Sequence, residues 1–153
     1  MLTIYIDADA CPVKDEVYRV ARRYAVRVLV VANSSLWVPD APAVELVVRP
    51  GFGAADDWIA EHIGPGDVAI TADVPLAARC VANGAVVVDP KGRLLNADTV
   101  GEALAVRDLM DGLRQAGGST FGPAPMTGKD RSRFLSRLDE AINAARRAAP
   151  PGV

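Results

Sequence analysis

The chain alternates between short, almost wholly apolar segments and amphipathic ones, and this alternation constrains its fold more than any other feature. Residues 26–32, VRVLVVA, are nearly continuous apolar sequence, as a strand needs when helices cover both faces of its sheet. Helical patterns occupy most of the intervals between the further predicted strands at 2–6, 44–48, 67–71, 85–88 and 94–95. The alternation predicts an α/β fold: a three-layer, doubly wound, mainly parallel sheet with right-handed crossovers.

The length of 153 residues matches one domain that can bury a continuous core. We predict a single domain over residues 1–153, with no internal repeat and no second core. Its predicted parts are an α/β core at 1–116, a Gly/Pro-rich loop at 117–128 and a C-terminal helical tail at 129–149.

Composition and charge exclude several classes of protein. The formal net charge of −2 rules out a broadly basic surface that coats nucleic acid. No apolar run approaches the ~20 residues that cross a bilayer, and the N-terminus lacks the pattern of a signal peptide. We therefore expect a cytoplasmic protein without a membrane partner. Cys11 and Cys80 are expected to be free thiols, because two cysteines and the lone His62 cannot complete a zinc site.

Acidic residues stand where predicted strands end. Asp7 and Asp9 follow the first strand, and Asp73 follows the strand at 67–71. Asp56 and Asp57 open the short helix that precedes that strand. Ligands of open α/β sheets bind at the carboxyl ends of the strands, where the winding reverses. If these two strands are neighbours, Asp7, Asp9 and Asp73 meet in one crevice.

Crowded carboxylates repel one another, and burying them without a partner costs free energy. Mg²⁺ or Mn²⁺, which prefer oxygen ligands, would neutralise such a group. These ions activate water and stabilise a leaving oxygen in phosphoryl displacement. The acidic residues therefore predict a divalent metal site for phosphodiester hydrolysis.

Each acidic residue also has a purely structural interpretation. Asp73, followed by Pro75, has the sequence of a helix N-cap. Asp56, Asp57 and Asp9 could each complement a helix dipole. Asp56 and Asp57 lie about 100° apart on a helix, so only one of them can face the sheet. Asp56 shares its helix face with isoleucines and is the favoured member of the pair.

Polar and basic residues elsewhere are candidates for contacting a substrate. Asn33 and Ser34 follow another strand, although such pairs are usually turn residues. Backbone amides and cationic side chains near the C-terminal helix could grip the phosphates of a nucleic acid. We predict this second set to be Ser119, Thr120, Lys129 and Arg131. A solvated helix face is the alternative for the two basic residues.

Several motifs, in order along nearly the whole chain, resemble those of the YaiI/YqxD family of small uncharacterised bacterial proteins. The two most specific are Asp7-Ala-Asp9-Ala-Cys11-Pro12-Val13 and Gly66-Asp67-x-x-Ile70-Thr71-x-Asp73-x-Pro75-Leu76-Ala77. The others are Ala32-Asn33-Ser34, Ala55-Asp56-Asp57-x-Ile59, Gly122-Pro123 and Asp130-Arg131-x-x-Phe134.

That family in turn resembles the PIN and NYN nuclease-like superfamily. The resemblance implies a PIN-like fold, metal positions at Asp7, Asp9, Asp56 or Asp57, and Asp73, and a nucleic acid, with RNA expected, as substrate. One departure weakens it: Pro75 stands where NYN-type sites often have a second acidic residue.

Two rival functions are compatible with the same residues. One is a non-catalytic RNA-binding or regulatory module built on a PIN-like fold. The other is a haloacid-dehalogenase-like phosphatase with Asp7 as nucleophile and Asp9 as general acid. The phosphatase would need Gly-Asp at a strand exit, whereas Gly66-Asp67 is predicted to begin a strand.

Overall fold

A computed structural model of the protein describes residues 2–115 and 125–148, which form one six-stranded sheet with helices on both faces. The strands are β1 (Thr3–Asp7), β2 (Arg27–Ala32), β3 (Val44–Val48), β4 (Val68–Ile70), β5 (Val86–Val88) and β6 (Leu94–Leu95). The helices are α1 (Lys14–Tyr24), α2 (Ala54–His62), α3 (Val74–Ala82), α4 (Val100–Gln115) and α5 (Gly128–Ala148). All six predicted strands are present.

The sheet has the strand order β3-β2-β1-β4-β5-β6. The first five strands of this order are parallel, and β6 pairs with β5 in the antiparallel direction. The chain builds outward from β1 in one direction and then returns to build from β4 in the other. β1 and β4 are therefore neighbours, with Ile6 opposite Ile70, and the winding reverses between them. The adjacency assumed for these two strands is confirmed.

Two separate apolar layers confirm the three-layer architecture. Residues that alternate along each strand point to opposite faces of the sheet. One layer joins strand residues such as Ile4 and Ile6 to α1 and α5. The other joins Tyr5, Leu29 and Val31 to α2, α3 and the start of α4. The C-terminal helix is thus an integral part of one layer.

Proline suits the first turn of a helix, but α1 does not begin at Pro12. A short 3₁₀ turn over Ala8–Ala10 follows β1, and α1 begins only at Lys14. The residue before a proline avoids the helical region, and Cys11 is accordingly extended, with φ −111° and ψ 108°. This break holds Asp7 and Asp9 outside α1.

Two further expectations concern the thiols and the membrane. Cys11 and Cys80 are both free and buried, as predicted. Across residues 2–115 and 125–148, no helix combines the length and the hydropathy needed to cross a bilayer.

Candidate functional site

Asp7 and Asp73 are linked through a threonine at the point where the winding of the sheet reverses. Asp7 is the last residue of β1, and Thr71 directly follows β4. The Thr71 hydroxyl donates a hydrogen bond to Oδ2 of Asp7 at 2.7 Å and accepts one from the backbone N–H of Asp73 at 3.0 Å. Thr71 is buried, with only 2% of its surface exposed. One side chain therefore fixes both acidic residues relative to the sheet.

Asp73 is the N-cap of α3, as its sequence predicts. Its Oδ1 accepts a hydrogen bond from the backbone N–H of Leu76 at 3.1 Å, and Pro75 occupies the first turn. Within the described residues, Oδ2 of Asp73 takes part in no hydrogen bond. The structural and functional interpretations of Asp73 are thus compatible, because capping occupies one carboxylate oxygen and leaves the other.

Asp56, rather than Asp57, interacts with the residues at the strand ends. Burial is the largest cause that raises the pKa of Asp56 from 3.8 to about 6, and the negative charges of Asp7 and Asp73 contribute to the same shift. Asp57 instead forms an ion pair with Arg79 at 2.8 Å, and 58% of its side chain is exposed. The helix geometry that favours Asp56 therefore agrees with the electrostatics.

The environment of Asp7 disfavours its charge. Burial raises the pKa of Asp7, and the charges of Asp73 and Asp9 act in the same direction. The Thr71 hydrogen bond and the positive charge of Lys14 lower that pKa in part. Asp7, Asp9, Asp56 and Asp73 are hereafter called the acidic group. Within it, neighbouring negative charges disfavour ionisation of Asp7 and Asp56, and perturbed pKa values of this kind are common at functional sites.

Asp9 and Asn33 tie the end of β1 to the ends of β2 and β3. The Asp9 carboxylate accepts the backbone N–H of Asn33 at 3.0 and 3.3 Å. The Asn33 amide donates to the carbonyls of Arg49 at 3.1 Å and Gly51 at 2.8 Å. Asn33 therefore has a structural role as a turn residue, and the neighbouring Ser34 is exposed. Substrate contact by Asn33 and Ser34 remains a prediction.

The basic residues predicted to bind substrate have different environments. Nη1 of Arg131 donates to the carbonyl of Pro12 at 3.1 Å and to Oε1 of Glu16 at 3.0 Å, so it joins α5 to the start of α1. Lys129 is exposed at the beginning of α5. Ser119 and Thr120 lie outside the described residues, so their predicted role also remains a prediction.

Two residues near the acidic group were not among the predicted site residues. Thr71 could have been identified from the Thr-x-Asp step at the end of a strand. Lys14 has no comparable sequence signal: its Nζ donates to the Cys11 carbonyl at 2.9 Å, and its charge acts on Asp7. Its position depends on the break before α1.

The donor set of the acidic group suits a hard cation, because every donor is an oxygen atom. Among residues 2–115 and 125–148, however, no three His, Cys, Asp or Glu side chains are arranged to hold a metal ion. Mg²⁺ commonly takes only one or two carboxylates and completes its shell with water and substrate phosphate. Asp7 and Asp73 are therefore the carboxylates that could supply oxygen ligands to an ion of this kind.

The haloacid-dehalogenase-like interpretation requires the acidic residue of the Gly66-Asp67 pair to lie near Asp7, and it does not. The Asp67 carboxylate accepts the backbone N–H groups of Thr3 at 3.1 Å and Gly64 at 3.0 Å. Thr3 begins β1 and Asp7 ends it, so Asp67 lies at the opposite end of the strands from Asp7. Gly66-Asp67 thus supplies no partner for a nucleophilic Asp7.

Replacement of Asp56 by asparagine is expected to stabilise the fold at neutral pH. Because the folded-state pKa of about 6 exceeds the ordinary 3.8, the native state binds this proton more tightly than the unfolded state. Wild-type stability should therefore fall as the pH rises from about 4 to about 6, and Asp56→Asn should lack that decrease. The expected gain at pH 7 is about 1 kcal/mol once solvent screening is included.

Urea denaturation of both proteins between pH 4 and pH 7 measures this difference. Asp57→Asn is the matched control, because it removes a neighbouring carboxylate from the same helix turn together with an exposed ion pair. It should be neutral or slightly destabilising. Parallel pH profiles for wild type and Asp56→Asn would contradict the prediction.

Comparison with known proteins identifies the family. The family model of the uncharacterised YaiI/YqxD proteins matches residues 5–144. A UPF0178 protein of Rhodospirillum centenum is 56% identical over 152 residues, covering 96% of this chain and 99% of the relative. One of Gluconacetobacter diazotrophicus is 52% identical over 150 residues, covering 97% of each chain. No solved structure matches significantly. The chain therefore belongs to the YaiI/YqxD family.

Proposed function

We propose that this protein is a Mg²⁺- or Mn²⁺-dependent nuclease that hydrolyses phosphodiester bonds, with RNA as its substrate. The observation that supports the proposal is that Thr71 joins Asp7 and Asp73 at the reversal of the sheet winding, and that the charges of both residues help to raise the pKa of Asp56. Carboxylates that disfavour one another's ionisation reduce stability. A cation bound during catalysis would neutralise these carboxylates and would explain why they are grouped together.

Asp7 and Asp73 are the residues that would hold the ion, with Asp9 and Asp57 as further candidates. Asp7 is oriented by Thr71, and Asp73 has one carboxylate oxygen left by its capping bond. When bound, the ion would activate water and stabilise the leaving oxygen of the cleaved ester. It would also offset the repulsion between these carboxylates and the anionic phosphate of the substrate.

In this proposal Asp56 accepts the proton of the attacking water. Its pKa of about 6 is high for a carboxylate and lies close to neutral pH. A general base works best when its pKa lies near the operating pH, because it is then both deprotonated and sufficiently basic. Asn33, Ser34, Ser119, Thr120, Lys129 and Arg131 remain candidates for contacts with the nucleic-acid backbone.

The choice of RNA rests on the resemblance to the PIN and NYN nuclease-like superfamily. The resemblance and the strand-end chemistry select the same four positions, Asp7, Asp9, Asp56 and Asp73. Likeness of fold does not determine function. The identity of the substrate polymer therefore needs a direct test in which RNA and DNA compete on equal terms.

The test is cleavage of labelled single-stranded and duplex RNA and DNA by purified protein with Mg²⁺ or Mn²⁺. We expect the wild type to cleave RNA and EDTA to abolish cleavage. Asp73→Asn should reduce the rate at least about 100-fold. Asparagine is as good an N-cap as aspartate, so this variant should remain folded. Asp40→Asn, which changes an exposed residue in the β2–β3 connection, should have no effect.

A thermal-shift measurement with Mn²⁺ separates metal binding from turnover. The wild type should melt at a higher temperature with Mn²⁺, and Asp73→Asn should respond less. If no polymer is cleaved and Mn²⁺ leaves the melting temperature unchanged, the nuclease proposal is overturned. RNA binding that is indifferent to EDTA and to Asp73→Asn would then identify a non-catalytic RNA-binding module.

A further inference from the structure

A cavity of about 530 Å³ opens directly beside the acidic group, between the start of α3 and the exposed side of α4. Asp73 lies in its wall, so the cavity and the acidic group share a residue. Small-molecule sites occupy roughly 300–1,000 Å³, and a single nucleotide fits this range. A duplex does not fit such a cavity, because its bases are stacked inside the helix.

Two guanidinium groups line the cavity. Arg93 is exposed, and its side chain forms no ion pair with any residue in the described part of the chain. Arg107 pairs with Asp111 at 3.1 Å and contacts Asp108 at 3.9 Å, and 45% of its side chain remains exposed. Arg93 is therefore the cation available to an anionic ligand, and Arg107 is partly neutralised.

Two apolar side chains of α4 also line the cavity. Val106 and Met110 lie one turn apart on α4, line the cavity and expose 44% and 49% of their surfaces. Large apolar side chains are usually covered when they cluster at a cavity. A flat aromatic base would cover both side chains, and its attached phosphate would reach the cationic rim.

We propose that this cavity holds the nucleotide next to the scissile phosphate of a single-stranded RNA. Its base contacts Val106 and Met110, and Arg93 binds the adjoining phosphate. The inference rests on the proposed function, because Asp73 would belong both to the catalytic residues and to the cavity wall. It adds the substrate class: the RNA must be unpaired at the cleavage point, since a stacked base cannot enter.

Fluorescence anisotropy of a short fluorescein-labelled single-stranded RNA, titrated with protein in Ca²⁺ as an oxygen-binding substitute for the catalytic ion, tests the cavity without turnover. Arg93→Gln should weaken binding about 5- to 10-fold and reduce the salt slope by about one, as expected for one lost phosphate contact. Arg22→Gln removes the same charge from the exposed end of α1 and should leave binding unchanged. A duplex RNA of equal length should be insensitive to Arg93→Gln.

Met110→Ser tests the base contact. It should weaken binding of the single-stranded RNA about 5-fold or more, and it should not affect an abasic ribose-phosphate oligomer. Equal affinities of wild type, Arg93→Gln and Arg22→Gln would overturn the cavity proposal, even if the metal-dependent cleavage assay succeeds. No measurable binding of the RNA by the wild type would overturn it as well.

A second copy of the chain is the rival occupant of the same wall, because Leu109 and Leu113 are also exposed on α4. Analytical ultracentrifugation distinguishes the two. A wild-type dimer that Met110→Ser dissociates would assign the apolar wall to self-association and overturn the nucleotide site. A monomer at the concentrations of the binding assay supports it.

Discussion

Gly92→Ala is expected to lower the free energy of unfolding by about 3 kcal/mol. Gly92 lies in the turn between β5 and β6 with φ +88°, a conformation that costs an L-residue roughly 1–2 kcal/mol. An added Cβ would lie 2.8 Å from the carbonyl carbon of Arg133 and 2.9 Å from its oxygen, in α5. Backbone atoms cannot move aside as a side chain can, so overpacking adds roughly 1–3 kcal/mol.

Gly66→Ala provides the matched comparison for this prediction. Gly66 has a similar φ of +84°, but a Cβ added there would meet no atom within 4 Å apart from its own chain neighbours. Its replacement should therefore cost only the strain of the left-handed backbone conformation, roughly 1–2 kcal/mol. Urea denaturation followed by circular dichroism measures both variants. Equal losses would mean that α5 does not pack against the β5–β6 turn.

The close contact at Gly92 reflects a wider role of α5. Phe134, Leu138 and Ile142 are completely buried in the same apolar layer as the strands. The sequence predicts the helix from its own periodicity, but it does not indicate where the helix docks. Docking depends on residues far apart in the chain, such as Gly92 and Arg133, and no local pattern connects them. A helix predicted as a tail is consequently part of the core.

The acidic group was predictable for the opposite reason. A strand end is recognisable from local sequence, and neighbouring parallel strands place their carboxyl ends at one edge of the sheet. Asp7 and Asp73 therefore follow from two local patterns and one assumption about strand order, which the structure confirms. Helix periodicity likewise selected Asp56 over Asp57, because the two differ by one helical position.

The position of Arg93 in the cavity could not be predicted from the sequence. It follows Gly92 in a short turn, where a basic residue is usually only solvated. It lines the same cavity as Asp73 because β6 pairs antiparallel with β5 and α4 packs against α3. Neither feature has a signal in the residues around position 93. The cavity could therefore be found only from the three-dimensional structure.

Asp7→Asn is expected to reduce metal-dependent cleavage at least about 100-fold and, at the same time, to stabilise the fold. Asparagine preserves the shape of the side chain, and its Oδ1 can still accept the hydrogen bond from Thr71. The substitution removes an anion whose pKa is raised by burial and by the charges of Asp73 and Asp9. The stabilisation should be present at neutral pH and disappear in acid, where wild-type Asp7 is itself protonated.

Asp67→Asn is the matched control, and it should destabilise the fold without changing catalysis. Each oxygen of the Asp67 carboxylate accepts a backbone N–H group, and asparagine can replace only one of those acceptors. This variant should lose about 1–2 kcal/mol of stability, with the cleavage rate of the folded fraction unchanged. Thermal melts and single-turnover cleavage of the two variants, measured side by side, separate loss of catalysis from loss of fold. If Asp7→Asn instead destabilises the protein and retains its cleavage rate, Asp7 is a structural residue and the site must be sought elsewhere.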